Sequence, residues 1–454
     1  MNEPNSPEPP RGSRLIIPGA EPEVAAEAPR IVLPPGVSRE EGPELPEFPR
    51  LRPLIIVPVR DGDRELLLIQ DPLGVIPGQP VLGIEALAIL QLLDGSVSLT
   101  DLSAALMRES KDLRVQQMVR DFIRQLDELL MLESPRFEAA FQRLRDAYHP
   151  LEIRPAALEG RAYPADSAEL GRKLDEDFAA AVKLRDQVGE SAAAGSTVPR
   201  GLLAPHLDPR RAGPTIARAL LELGDQPTAP LRVVIFGTGH ELIGDLYALT
   251  RKHFQTPLGR AMCDTAFVDA VAARLGDRAY RSELAHRHEH SIEFAVLYLQ
   301  RRLRGRQFTI VPILCGGFHS LLEEGRLPRQ SEEFENLISA VSETASAQGG
   351  TTIYLAGVDL SHVGPRFGDP GTDERVRGEI ETTDREALEA ARKGDADGWF
   401  EAIARHSDST RICGFAPTYA MLRCASPGEG RLLRYQQSIE DDDSLVSVAA
   451  MVWP

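Results

Sequence analysis

Three observations predict an α/β protein preceded by a smaller unit and an unstructured lead-in. From about residue 152 onward, short apolar, β-branched-rich runs alternate with helical stretches, the pattern of a central sheet flanked by helices. Upstream of them, a β-hairpin signal is followed by three helical stretches. The first 50 residues hold 12 of the chain's 35 prolines, mixed with glutamates and small residues. The 454 residues suit two or three domains at about 100 to 200 residues each.

Residues 1–50 cannot bury enough apolar surface to offset the entropy of ordering them, so a disordered tail is expected there. Residues 51–150 open with LIIVPV, the turn-prone Asp61 to Asp63, and ELLLIQ, which together predict a hairpin. Three helices should follow. Ile84 to Leu93 is apolar at helical spacing, Thr100 can cap the second helix, and Val119, Phe122, Ile123, Leu126, Leu129 and Leu130 form one stripe of the third. A hairpin plus three helices is a winged-helix-like unit, but these 100 residues carry 11 basic and 15 acidic side chains, so protein or peptide contact is expected rather than DNA. Residues 151–454 form the α/β domain, with strands expected at Arg200 to Ala204, Leu231 to Phe236, Phe308 to Leu314, Thr352 to Val358 and Leu445 to Trp453.

Charge and composition exclude several classes. A net charge of −17 repels polyanions, which removes nonspecific nucleic-acid or anionic-membrane binding. No apolar run approaches the roughly 18 residues of a membrane span, and no signal-peptide pattern opens the chain, so a cytoplasmic location is expected. The four cysteines, Cys263, Cys315, Cys413 and Cys424, form no C-x-x-C pair and do not resemble a disulfide framework.

The polar residues with chemical potential stand at strand ends. GLLAPH ends in His206, RVVIFGTGH ends in His240, and TIYLAGVDLSH delivers Asp359 and His362. In α/β sheets, ligand sites form beyond the carboxyl ends of strands, so these segments should converge on one crevice. Cys413, in ICGFAP, precedes a helix whose N-terminus favours the thiolate, the form that binds metal. The densest cluster is AHRHEHSIE. Its residues His286 to His290 spell H-x-x-E-H, a zinc-protease pattern that needs both histidines on one helix face. That reading leaves His206, His240 and His362 unused. In the preferred one, His290 and Glu293 line the crevice and either support the ligands from behind or orient substrate.

Eight segments carry a family resemblance: RPAALEGRAYPADSAEL, GLLAPH, VVIFGTGH, TPLG, EHSIE, IVPIL, DLSHVGPRFG and ICGFAP. In this order, from about Glu152 to the C-terminus, they resemble the Memo family, whose microbial members are known as AmmeMemoRadiSam system protein B. The N-terminal stretch ILQLLDGSVSLTDLSAAL resembles protein D of pyrroloquinoline quinone biosynthesis. The resemblance implies the class III extradiol dioxygenase fold, a metal site on His206, His240 and Cys413, and Asp359 and His362 beside it, with His362 as acid/base. APHLDPRRAG and GTGH depart from the family's usual text and bear on the pocket and substrate.

A two-histidine, one-thiolate set suits iron and, being softer than a carboxylate set, also copper or zinc. The implied activity is that of a non-haem iron or copper dioxygenase or redox enzyme. The alternative is a metal- or peptide-binding accessory protein of a radical-SAM-associated modification system, and a zinc protease comes after both. Expected partners are a small molecule or peptide in the crevice and a protein at residues 51–150.

Overall fold

The computed structural model describes residues 45–62, 64–110, 114–187, 198–224, 230–242 and 244–454. Residues 1–44, most of the expected tail, lie outside the described residues. The chain divides into two compact units, one ending at Ala140 and the other beginning at Phe141.

In the first unit, β1 (Ile55–Asp61) and β2 (Arg64–Gln70) form the hairpin, with Asp61 opposite Arg64 and Gly62 at φ +60° in the turn. Glycine suits this left-handed turn because it has no Cβ to clash. The short β3 (Val81–Gly83) adds to β2 as a third antiparallel strand. Helices follow at Leu87–Leu90, Leu99–Ser110 and Arg114–Glu128. The apolar stripe of the last is buried at Val119, Phe122, Ile123 and Leu126, whereas Leu130 falls beyond the helix at φ +62°. Residues 45–50 are tied to this unit: the Leu99 amide donates to the Glu47 carbonyl at 2.8 Å, and Leu45 packs on the core.

The second unit opens with β4 (Ile153–Arg154), which pairs with β8 (His253–Thr256). β8 turns through Pro257 and Leu258 into β9 (Gly259–Ala261), so the TPLG segment is a hairpin. The main sheet contains β5 (Gly201–Ala204), β6 (Leu231–Thr238), β7 (Tyr247–Leu249) and β10 (Phe308–Cys315). It also contains β11 (Thr351–Gly357), β12 (His362–Val363), β13 (Arg431–Ile439) and β14 (Leu445–Trp453). Its order is β12-β14-β5-β11-β6-β10-β7, with β13 paired to β14.

The middle four strands, β5, β11, β6 and β10, are parallel, and β14 and β7 run antiparallel on either side. Alternate strand residues feed two apolar layers. Leu203, Val234 and Phe236 join one core, and Leu202, Val233 and Ile235 join the other. This is a mixed sheet covered on both faces, as parallel strands require. Helices Pro209–Leu220 and Ser291–Arg302 contribute to the second layer, and Glu332–Gln348 and Phe415–Ala425 to the first. Among the described residues no helix is long and apolar enough to cross a membrane.

Candidate metal centre

β5, β11 and β6 are consecutive neighbours in the sheet, and Ala204, Gly357 and Gly237 share a register, so their carboxyl ends lie side by side. His206 follows β5, Asp359 follows β11 and His240 follows β6. Two close approaches bring the other groups to this edge. A Cβ on Gly237 would lie 2.5 Å from Ser291 Oγ, and one on Gly357 would lie 2.7 Å from the Ser291 carbonyl, so only glycine lets the start of the 291–302 helix sit against the sheet. That helix start carries His290. A Cβ on Gly414 would lie 2.6 Å from the Asp359 carbonyl, and the Gly414 amide donates to that carbonyl at 2.9 Å. Cys413 is thereby held beside β11, and its own carbonyl accepts from Thr238 Oγ1 at 3.0 Å.

Two groups of donor atoms, each mutually within 4.8 Å, share His206. One is His206, His240 and His290; the other is His206, Asp359 and Cys413. The three imidazole centroids lie 4.7 to 5.1 Å apart, with His240 and His290 stacked. Each ring is anchored through one nitrogen. His206 Nδ1 lies 2.8 Å from the Gly357 carbonyl, His240 Nδ1 lies 3.1 Å from both Glu289 oxygens, and His290 Nδ1 lies 3.2 Å from Glu289 Oε1. With Nδ1–H donating in His206 and His240, their Nε2 atoms are left to face a cation once any second proton has been displaced. Cys413 Sγ is 3.4 Å from His206 Nε2, and Asp359 Oδ2 is 3.6 Å from the same atom. The other Asp359 oxygen accepts the backbone N–H groups of His206 and Leu207, both at 3.0 Å.

Burial alone would lower the His206 imidazolium, but Asp359 and Cys413 beside it raise its pKa to about 9. Burial would likewise raise the Cys413 thiol, yet His206, His240 and His362 pull it down to about 5. The other three cysteines are buried without such neighbours, and burial pushes their thiols up. His206 and Cys413 therefore favour an imidazolium–thiolate pair, whose shared proton a cation can displace. His240 resists burial because Glu289 holds it charged, and its pKa is well above the usual value. His290 is lowered to about 4 by burial, against the pull of Glu289, with His206 and His240 adding repulsion. The donor set fits a transition metal: imidazole nitrogens, a thiolate and a carboxylate, with His206, His240 and Asp359 each held by a further hydrogen bond.

His362 opens β12, three residues after Asp359. Its amide donates to the Thr410 carbonyl at 2.7 Å, and its Nδ1 lies 2.9 and 3.1 Å from the carbonyls of Leu360 and Arg411. Beneath it, Ser361 Oγ donates to buried Asp384 at 2.6 Å, and Tyr435 and Ser447 donate to the other oxygen of that carboxylate.

Other expected placements differ. The H-x-x-E-H segment is not one helix: His286 ends a 3₁₀ turn, and the α-helix begins only at Ser291. His286 is buried with Nε2 3.0 Å from the Ala248 carbonyl, and burial lowers its pKa to about 3. The two histidines that the protease pattern needs on one face are therefore separated. Glu293, expected to meet substrate, has a side chain that is 0 % exposed. Its oxygens accept from Arg154, Tyr163 and the amides of Ala157 and Leu158, so it anchors the RPAALEGRAYP segment instead. His290 joins the histidine donors rather than standing apart from them. Glu289, which sequence reasoning placed only inside the protease pattern, accepts from His240 N at 2.9 Å, His290 N at 2.7 Å and Ser291 N at 2.9 Å. Its signal was its place directly before His290 and the helix start.

A mixed sheet with a histidine, carboxylate and thiolate cluster at its carboxyl edge defines an α/β protein with a candidate metal centre. The Memo-like protein family model matches residues 154–452, and the chain belongs to that family. Among its relatives, a MEMO1 family protein of Aquifex aeolicus is 26% identical over 400 residues, covering 86% of this chain and 96% of the relative. One from Thermus thermophilus is 28% identical over 323 residues, covering 71% and 88%, and one from Methanopyrus kandleri is 29% identical over 313 residues, covering 66% and 98%. Coverage of 86% reaches beyond residues 154–452, so the similarity to the Aquifex relative extends into the N-terminal unit.

Proposed function

We propose that this chain is a metal-dependent oxidoreductase of the extradiol dioxygenase type, with iron or copper held at His206. The observation that carries the reading is the convergence on His206 Nε2 of two further imidazoles, a carboxylate and a low-pKa thiol from four separate segments. His206 and His240 would hold the ion, together with Cys413 or His290. When bound, the metal brings substrate and O₂ together and supplies the redox chemistry. The protein's part is positional. Glu289 fixes two imidazoles, and Asp359 ties the His206 backbone to the site through two amides. His362, with Nδ1 committed to backbone carbonyls, presents Nε2 as the base that takes a substrate hydroxyl proton. The acidic N-terminal unit serves as a protein- or peptide-docking module.

The test is O₂ uptake by protein loaded anaerobically with Fe²⁺, using dihydroxybenzenes with and without a carboxylate. Uptake that disappears in His362→Ala while metal is retained supports the enzyme. No uptake with any of them turns the reading to a metal-holding accessory protein.

A further inference from the structure

A cavity of about 690 Å³ opens on His240 and Cys413, a size suited to a small molecule. Much of its wall is apolar, including the buried side chains of Leu242, Phe318, Ile412 and Phe415. Set in that wall is a carboxylate with spare bonding capacity. Asp408 is 9 % exposed and accepts the Ile412 amide through Oδ1 at 2.8 Å, while Oδ2 has no hydrogen bond or ion pair among the described residues. A nearly buried carboxylate oxygen without a partner is costly to keep, and in a cavity wall it marks where a ligand's donor belongs.

The basic side chains of the wall do not satisfy it. Arg411 Nε and Nη2 donate to the His362 carbonyl at 3.1 and 2.9 Å, and Nη2 also meets Asp369. His240 is paired with Glu289, and His319 is exposed to solvent with no hydrogen bond or ion pair among the described residues. The other carboxylate of the wall, Asp245, is taken by Ser282 and Arg281. Burial holds the Asp408 carboxyl up at about 6, against the pull of the Ile412 amide and His319, which leaves it mostly ionised at neutral pH.

The backbone is bent to put this carboxylate in the wall. Ser407, Asp408 and Arg411 have φ values of +51°, +48° and +55°, left-handed conformations of a kind that concentrate at functional sites and persist where surrounding structure fixes them. Here the fixing is visible. The carbonyls of Thr410 and Arg411 receive His362 N and Nδ1, and the Arg411 side chain returns the grip.

We infer that this cavity binds a small organic cation, an amine or amidine on an apolar body, and that Asp408 recognises its N–H groups while the body extends toward His240 and Cys413. The fate of that cation rests on the metal-centre reading, but its binding and charge selection stand on the cavity alone.

The full chain is titrated calorimetrically with benzamidine, benzamide and benzoate, similar shapes that are cationic, neutral and anionic at neutral pH, and metal content is measured on the same samples. Benzamidine should bind at least about tenfold tighter than benzamide or benzoate, the worth of one charge-assisted hydrogen bond. Asp408→Asn keeps an acceptor for the Ile412 amide and tolerates a left-handed φ, so it should unfold cooperatively and keep its metal while losing that preference. Equal binding of benzamidine and benzamide by the wild-type protein overturns the inference without needing any variant, and so does tighter binding of benzoate. A preference for benzamidine that survives in Asp408→Asn also overturns it, because another group would then be reading the charge. Normal metal content beside absent selectivity defeats this inference alone; selectivity that depends on Asp408 in protein that holds no metal supports it and defeats the metal-centre reading.

Discussion

His206, His240, Asp359 and Cys413 could be read from the sequence because each follows an apolar run or precedes a helix, which fixes where a residue stands without fixing what it touches. Glu289 and His290 were harder. Their cluster also fits a helical i, i+4 spacing, and only the break in helix between His286 and Ser291 shows that the spacing is idle. Arg411 left no signal, because its importance depends on a left-handed φ and an interlock with His362. Glu289 accepts hydrogen bonds from both the backbone and ring of His240 and sets the orientation of two imidazoles. Outer carboxylates of this kind are worth about 10- to 100-fold in metal affinity. Glu289→Gln should therefore weaken metal binding by that factor in a competition titration, with the far-ultraviolet circular dichroism unchanged.

At the scale of elements, β5, β6, β10, β11 and β14 were legible because they are apolar on both faces, whereas β13 was not, since Arg434, Gln436 and Gln437 interrupt it at the half-buried sheet edge. β7, β8, β9 and β12 are two to four residues long, too short to show a period. The approach of these elements is set by glycine. Gly414→Ala puts a methyl group against the Asp359 carbonyl and Val358, and should cost about 1–3 kcal/mol by thermal unfolding while weakening metal binding. A second anchor is the buried Arg154–Glu293 pair. Arg154 also donates to the carbonyls of His286 and Glu289, so it fixes the turn that presents His290.

Burial would raise the Glu293 carboxyl, but Arg154, Tyr163 and the Ala157 amide hold it below the usual range. Its contribution is then complete above the unfolded value, about 4.3, and is lost as pH falls through the lower folded value. Glu293→Gln should cost about 3 kcal/mol at neutral pH, the penalty of stranding a buried arginine. The difference from the parent protein should shrink in acid, as denaturant titrations at pH 7 and pH 3 would read.

The whole molecule joins two units of opposite legibility. The Memo domain announced itself through eight ordered segments, because a parallel sheet buried on both faces writes long apolar runs and places its chemistry at one edge. The first unit showed its hairpin and helices, but its short β3 and the packing of Leu45 against its core depend on contacts that no local pattern encodes. What makes the domain more than a scaffold is the single imidazole on which both donor groups meet. Metal stoichiometry of anaerobically purified full-length protein, compared with His206→Ala, tests this most directly. The account predicts close to one ion per chain in the parent and almost none in a variant that still unfolds cooperatively; full metal content in His206→Ala would contradict it.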